Sequence, residues 1–186
     1  MFARIWIISC TLITLMLATK TGAARPSPKS IKQPIRIRKF DCPGQPYPAT
    51  KVIMCRVRNL RDQPQQVDFV VEILEPQVDI LVAFELFVQH QHSRTLLYGT
   101  TMDYCRIMAG SDGNKVTELL FTIARKTIPQ VLRTCPYGGV LNASEVSLGL
   151  DMVPAFTLPG RYRANMRWYN KKNQTMLAWS SEFELN

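Results

Sequence analysis

The amino-acid sequence predicts a mainly β protein, a two-sheet β-sandwich carrying one short helix. Three observations carry that prediction. Apolar and polar residues alternate in segment after segment, the period of a strand that buries one face. Between those segments lie short runs of Pro, Gly, Asn and Asp, which turn the chain. Only one stretch keeps helical spacing. Many short strands joined by Pro/Gly turns indicate a sandwich.

The elements follow in order. Ile35-Arg36-Ile37-Arg38 alternates, so a first strand there sets both arginines on one face. After Cys42, Val52, Met54 and Arg56 oppose Ile53, Cys55 and Val57 in a short strand, and residues 67–74, rich in Val and Ile, form another. Val78, Ile80, Val82, Phe84, Leu86 and Val88 alternate without a break, the strongest strand signal in the chain. Leu81, Ala83 and Phe87 between them make both faces partly apolar. Residues 94–98 are its hairpin partner across a turn at 89–93. Ser111-Asp112-Gly113-Asn114 is turn chemistry. Val116, Leu119, Leu120, Ile123, Ala124 and Thr127 then follow helical spacing, with Asn114 placed to cap and Arg125 and Lys126 at the negative end. Leu119, Phe121 and Ile123 also alternate, so a strand competes; the helix is the expectation. Residues 135–139 read as a turn, and 140–150 should contain a strand. Pro159-Gly160 opens the last hairpin. Tyr162, Ala164, Met166 and Trp168 share one face and Arg161, Arg163, Asn165, Arg167 and Tyr169 the other. The chain turns at 170–173 and returns over 176–185, with Leu177, Trp179, Ser181, Phe183 and Leu185 on one side.

The amino terminus points to export. Arg4 precedes an apolar run over residues 5–17, and small residues follow, with Thr21 and Ala23, or Gly22 and Ala24, placed for cleavage. That order is a secretory signal peptide over residues 1–24. A membrane anchor is the rival, but a span needs about 20 apolar residues and Lys20 breaks the run first. Residues 25–39 form a basic, Pro-containing arm that leads into the first strand, either a solvated tail or a tether to an anionic surface. Residues 40–186 then form one domain. The whole chain carries a formal charge of +9, and the leader holds only Arg4 and Lys20 of its cations, so the mature chain stays basic and favours anionic partners. Nucleic acid is excluded as a partner by the export route.

Cysteine usage agrees with an oxidising compartment. Cys10 leaves with the leader, and Cys42, Cys55, Cys105 and Cys135 remain, which admit three pairings. Cys42–Cys55 and Cys105–Cys135 are favoured because each pair is nearest in sequence. Zinc is the rival, without any C-x-x-C pair to support it. Asn142-Ala143-Ser144 and Asn173-Gln174-Thr175 are glycosylation sequons suited to the same route.

No catalytic apparatus is visible. His90 and His92 are the only histidines, expected together in an exposed turn, and two ligands do not make a metal site. There is no G-x-S-x-G elbow and no glycine-rich phosphate loop, so neither an enzyme nor a cofactor is expected. Asp103 beside Cys105 invites a catalytic reading, but Asp in a turn ordinarily bonds local backbone.

Three motifs taken together resemble a family. They are Tyr98-Gly99-Thr100-Thr101-Met102-Asp103-Tyr104-Cys105, then Cys135-Pro136-Tyr137, then Leu158-Pro159-Gly160-Arg161-Tyr162. In order and spacing they are similar to insect secreted proteins grouped by a domain of unknown function (the DUF1091 type), including the CheB-like contact-chemosensory proteins of flies. That group is similar to the MD-2-related lipid-recognition (ML) superfamily, immunoglobulin-like β-sandwiches that hold acyl chains or sterols between two sheets. The chain departs from the family in the approach to Cys135, where Pro129-Gln130-Val131-Leu132-Arg133-Thr134 replaces a His- or Asn-rich run.

The resemblance implies a secreted, non-enzymatic binder of a lipid, fatty acid, sterol or cuticular hydrocarbon, with a role in chemosensation or pheromone response. Filling an apolar cavity between splayed sheets removes apolar surface from water. Candidates for its wall are Val82, Phe84, Leu86, Phe121, Tyr162, Met166, Trp168, Trp179 and Phe183. The competing reading is that these residues are ordinary close-packed core. Arg161, Arg163 and Arg167 are either a rim for an anionic headgroup or a solvated strand face. The alternative function is an interaction protein that binds a receptor, a channel or an acidic glycan through its basic surface.

Overall fold

The computed structural model describes residues 35–61, 63–111, 115–147 and 158–186. The signal segment, most of the basic arm and the cap expected at Asn114 lie outside these residues.

Among the described residues, eight strands form two antiparallel sheets. The strands are β1 (Ile35–Asp41), β2 (Thr50–Arg58), β3 (Gln66–Gln77), β4 (Leu81–Gln89), β5 (Arg94–Asp103), β6 (Tyr137–Ser147), β7 (Gly160–Tyr169) and β8 (Thr175–Leu185). The larger sheet runs β1-β8-β7-β4-β5 and the smaller β2-β3-β6. The inner faces share one apolar core, in which Val71 and Leu141 of the small sheet meet Val82, Trp168 and Leu177 of the large one. All of this lies in the compact unit that begins at Ile31.

Alternation decides the faces as expected. Ile35 and Ile37 are buried while Arg36 and Arg38 are exposed. On β7, Tyr162, Ala164 and Trp168 are buried. At the β7–β8 turn, Asn170 Oδ1 accepts from the backbone N–H groups of Lys172 and Gln174 (both 3.0 Å), with Asn173 at φ 61°. Such local capping is why Asn marks a turn.

Three elements differ from the expectation. The unbroken alternation from Val78 to Val88 does not make one strand: β3 extends to Gln77, and β4 begins at Leu81. The chain changes sheets between them, so Val78 is exposed while Ile80 stays buried, its carbonyl accepting from Tyr104 N–H. Around Cys135, the strand already begins at Tyr137, taking in part of the expected turn. A single helical turn, α1 (Tyr104–Met108), also sits inside the first motif. It is too short for periodicity to reveal.

The predicted helix is α2 (Lys115–Thr127). Helix prevails over strand because Thr117 and Phe121, four residues apart, are the positions it buries. A short 3-10 turn at Pro129–Val131 leads toward Cys135.

Candidate functional site

The two favoured disulfides are present, Cys42–Cys55 and Cys105–Cys135, with Cα–Cα separations of 6.3 and 5.6 Å. The second joins α1 to the chain entering β6, and around it the first two motifs converge. The Tyr104 ring meets Tyr137 edge-on at 5.4 Å, Trp168 at 5.1 Å and Phe121 of α2 at 6.1 Å. Tyr104 Oη donates to the Arg133 carbonyl (2.8 Å) and accepts from Arg133 N–H (3.0 Å), while Tyr137 Oη donates to the Val131 carbonyl at 2.6 Å. These bonds tie down the irregular segment before Cys135, whose backbone has no strand to satisfy it. Burial pushes the Tyr104 phenol up to about 12 and raises that of Tyr137 further. Asp103 caps α1, its Oδ1 accepting from Arg106 N–H at 3.1 Å. The first two motifs therefore build a locked aromatic node. In the third, Tyr162 Oη donates to the Leu158 carbonyl (2.6 Å) and its ring stacks on Phe183.

From this node the inner face of the large sheet grades outward along the strands. Register sets Val82, Met102, Trp168 and Leu177 in one row, and all four are buried. The next row holds Phe84, Met166 and Trp179, which are only partly buried. Beyond them, Leu86, Val88 and Phe183 are also partly buried, packed against a second, separate apolar cluster of Ile35, Tyr162 and Leu185. The nine wall candidates thus divide. Val82, Phe121 and Trp168 belong to the main core and Tyr162 to the small cluster. Phe84, Leu86, Met166, Trp179 and Phe183 keep apolar surface uncovered. Three strands oppose five, and the partly covered side chains lie away from the locked node.

The arginines of β7 face the other way. Arg163 Nη1 lies 3.2 Å from Glu182, and Arg167 donates to Thr175 Oγ1 (2.8 Å) and rests over the Tyr169 ring at 4.5 Å. Register sets them on the outer face, opposite Tyr162, Ala164 and Trp168. They are a solvated strand face and not the rim of an interior. His90 and His92 are exposed in the β4–β5 turn, and among the described residues no group of His, Cys, Asp and Glu could hold a metal.

Sequence reasoning passed over one site. On the outside of the small sheet, Asp68 is 2% exposed. Its carboxylate accepts from Arg56 Nε (3.1 Å), Arg58 Nη2 (2.9 Å) and Glu145 N–H (3.0 Å). Burial works to raise its pKa, but these donors prevail and hold it below the ordinary carboxylate range. Glu145, at φ 62°, is bent to aim its N–H there. With Met54 and Asn142 these groups line a polar depression of about 440 Å³. None of the nine apolar candidates lines it. A lone Asp within an apolar strand was the available signal. Both sequon asparagines, Asn142 and Asn173, are exposed.

Comparisons with known proteins add three findings. Residues 82–164 match the family described as "Protein of unknown function (DUF1091)", which bears out the resemblance over that stretch. The match spans less than half of the chain and contains all three motifs. No curated protein matches the chain. Among solved structures, the crystal structure of chicken MD-1 complexed with lipid IVa superposes with a TM-score of 0.37 at 12% identity, over 83% of this chain and 92% of that one.

Proposed function

We propose that the protein is a secreted, non-enzymatic binding protein whose open end accepts the hydrocarbon part of an apolar or amphipathic ligand. Lipids, fatty acids, sterols and cuticular hydrocarbons are the ligand class, and chemosensation is the role the resemblance favours. The observation that carries this reading is the row of large apolar side chains that stay only partly buried, Phe84, Met166 and Trp179 beside the main core, continued by Leu86 and Phe183. Protein interiors are normally close-packed, and a sandwich that leaves one inner face partly uncovered gains from a guest that removes this surface from water, at roughly 25 cal/mol per Å². Met166 lends the wall an adaptable, polarizable side chain. The polar and sulfur groups at the locked end have structural duties: Asp103 caps a helix, the phenols hold backbone, and the cysteines are bridged. Fold likeness transfers no ligand, so the reading stands on the side chains themselves.

The test is native mass spectrometry of gently purified protein, paired with titration of a fluorescent fatty acid. Co-purifying lipid and a saturable probe signal that Leu86→Arg and Met166→Arg each abolish support the proposal. Protein that is consistently empty and never takes up the probe overturns it.

A further inference from the structure

Register places a single file of polar side chains across the outer face of the large sheet. Arg36 of β1 pairs with Glu184 of β8, Glu184 with Arg161 of β7, Arg161 with Gln89 of β4, and Gln89 with Arg94 of β5. Directly opposed residues share a face of a sheet, so all five project outward, and Arg36, Arg161 and Arg94 are exposed. Neighbouring strands lie about 4.8 Å apart. The backbone positions of the three arginines therefore recur at intervals of roughly 10 Å, two strands apart, in a row that crosses the sheet and follows its twist.

The charge on this line is not balanced. Glu184 is held by Arg38, whose Nε donates at 2.9 Å. That bond, followed by the fields of Arg38, Arg161 and Arg36, lowers its pKa although burial opposes the shift. Among the described residues no carboxylate forms an ion pair with Arg36, Arg161 or Arg94, whereas the next row along is neutralised by the Arg163–Glu182 pair.

We propose that this row, Arg36–Glu184–Arg161–Gln89–Arg94, binds a linear acidic glycan laid across the strands. Arginines repeated on alternate strands suit the sulfate or carboxylate groups of such a chain, which Arg grips through two parallel N–H bonds. The carboxylate and amide between them suit its hydroxyls. A lipid surface offers a continuous field of anions and has no use for a single file with an acceptor between each pair of cations. The site lies on the face opposite the apolar interior, so it operates whether or not that interior holds a guest.

The experiment is binding of the full chain to heparin over a salt series. It compares Arg36→Ser/Arg161→Ser/Arg94→Ser with a variant of the amino-terminal arm, Arg25→Ser/Lys29→Ser/Lys32→Ser. Releasing counterions makes polyanion affinity fall with salt in proportion to the cations engaged. The row variant is expected to lose more than tenfold in affinity, with the log–log salt slope shallower by about two to three, and to keep the thermal midpoint of the parent because the altered side chains are exposed. The arm variant is expected to keep most of the binding. The proposal is overturned if the parent chain does not bind, if the row variant binds like the parent, or if the arm variant loses as much as the row variant. Equal, row-dependent binding to phosphatidylserine vesicles assigns the row to a membrane and also overturns it.

Discussion

The two ends of the sandwich are built on different principles. At one end Tyr104, Tyr137, Trp168 and Phe121 pack ring against ring, a disulfide closes over them, and two phenols hold the loop that approaches Cys135. At the other, Leu86, Val88 and Phe183 lean on a cluster of only three buried residues, with surface left over. Both ends use the same alternating strands β4, β7 and β8. Among the described residues, α1, α2, the 3-10 turn and the small sheet all contribute to the main core that includes the first end, whereas the cluster at the second end draws only on β1, β7 and β8, with Leu86, Val88 and Phe183 packed on it.

That contrast can be broken by mutation, beginning where the effect is largest. Tyr137→Ala should cost about 3–5 kcal/mol, as truncation of a fully buried aromatic does, measured by urea unfolding. Leu86→Ala at the second end should cost about 1 kcal/mol, since a partly exposed side chain loses less transfer energy on truncation. Comparable losses at the two positions would erase the distinction between the ends.

Removing the Cys105–Cys135 bridge should cost about 2–4 kcal/mol. The loops closed span separations of 30 and 13 residues, so loss of Cys42–Cys55 should cost about 0.7 kcal/mol less on chain entropy alone. Paired serine variants in thermal melts read this out.

Enlarging a side chain sharpens the comparison further. Leu141→Phe in the closed core should cost about 1–3 kcal/mol through overpacking, whereas Leu86→Phe should change stability by less than about 0.5 kcal/mol while weakening uptake of a fatty-acid probe.

Alkali should weaken the locked end. Burial holds the Tyr104 phenol protonated up to about 12, above the value near 10 of an unfolded tyrosine. The contribution is therefore complete below pH 10 and is lost as pH rises toward the folded value. Tyr104→Phe should flatten that decline, read from unfolding midpoints between pH 9 and 12, at the price of the two bonds to Arg133.

Much of this molecule was legible one strand at a time. Ile35 and Ile37, Tyr162 to Trp168, and Leu177 to Leu185 declare their inward faces by alternation, a property of the extended chain itself. Asn170 announces its turn, and of the three pairings the cysteines admit, the favoured nearest-neighbour one is present. The break between Val78 and Leu81 was illegible because the pattern there is a good strand; only the crossing between sheets interrupts it. Asp68 stood out in its strand, but its partners were illegible because they come from β2 and β6, and Glu145 reaches it across 77 positions of sequence.

By itself, then, the sequence indicated most of the strands and their faces, most of the turns, the longer helix and an even set of bridging cysteines, since each follows from local periodicity or from backbone chemistry within a few residues. Only the tertiary structure decided which rows of those faces are covered and which arginines line up across β1, β8, β7, β4 and β5. Coverage and alignment depend on which strands become neighbours and in what register, and those relations join residues far apart in the chain that no local pattern can bring together.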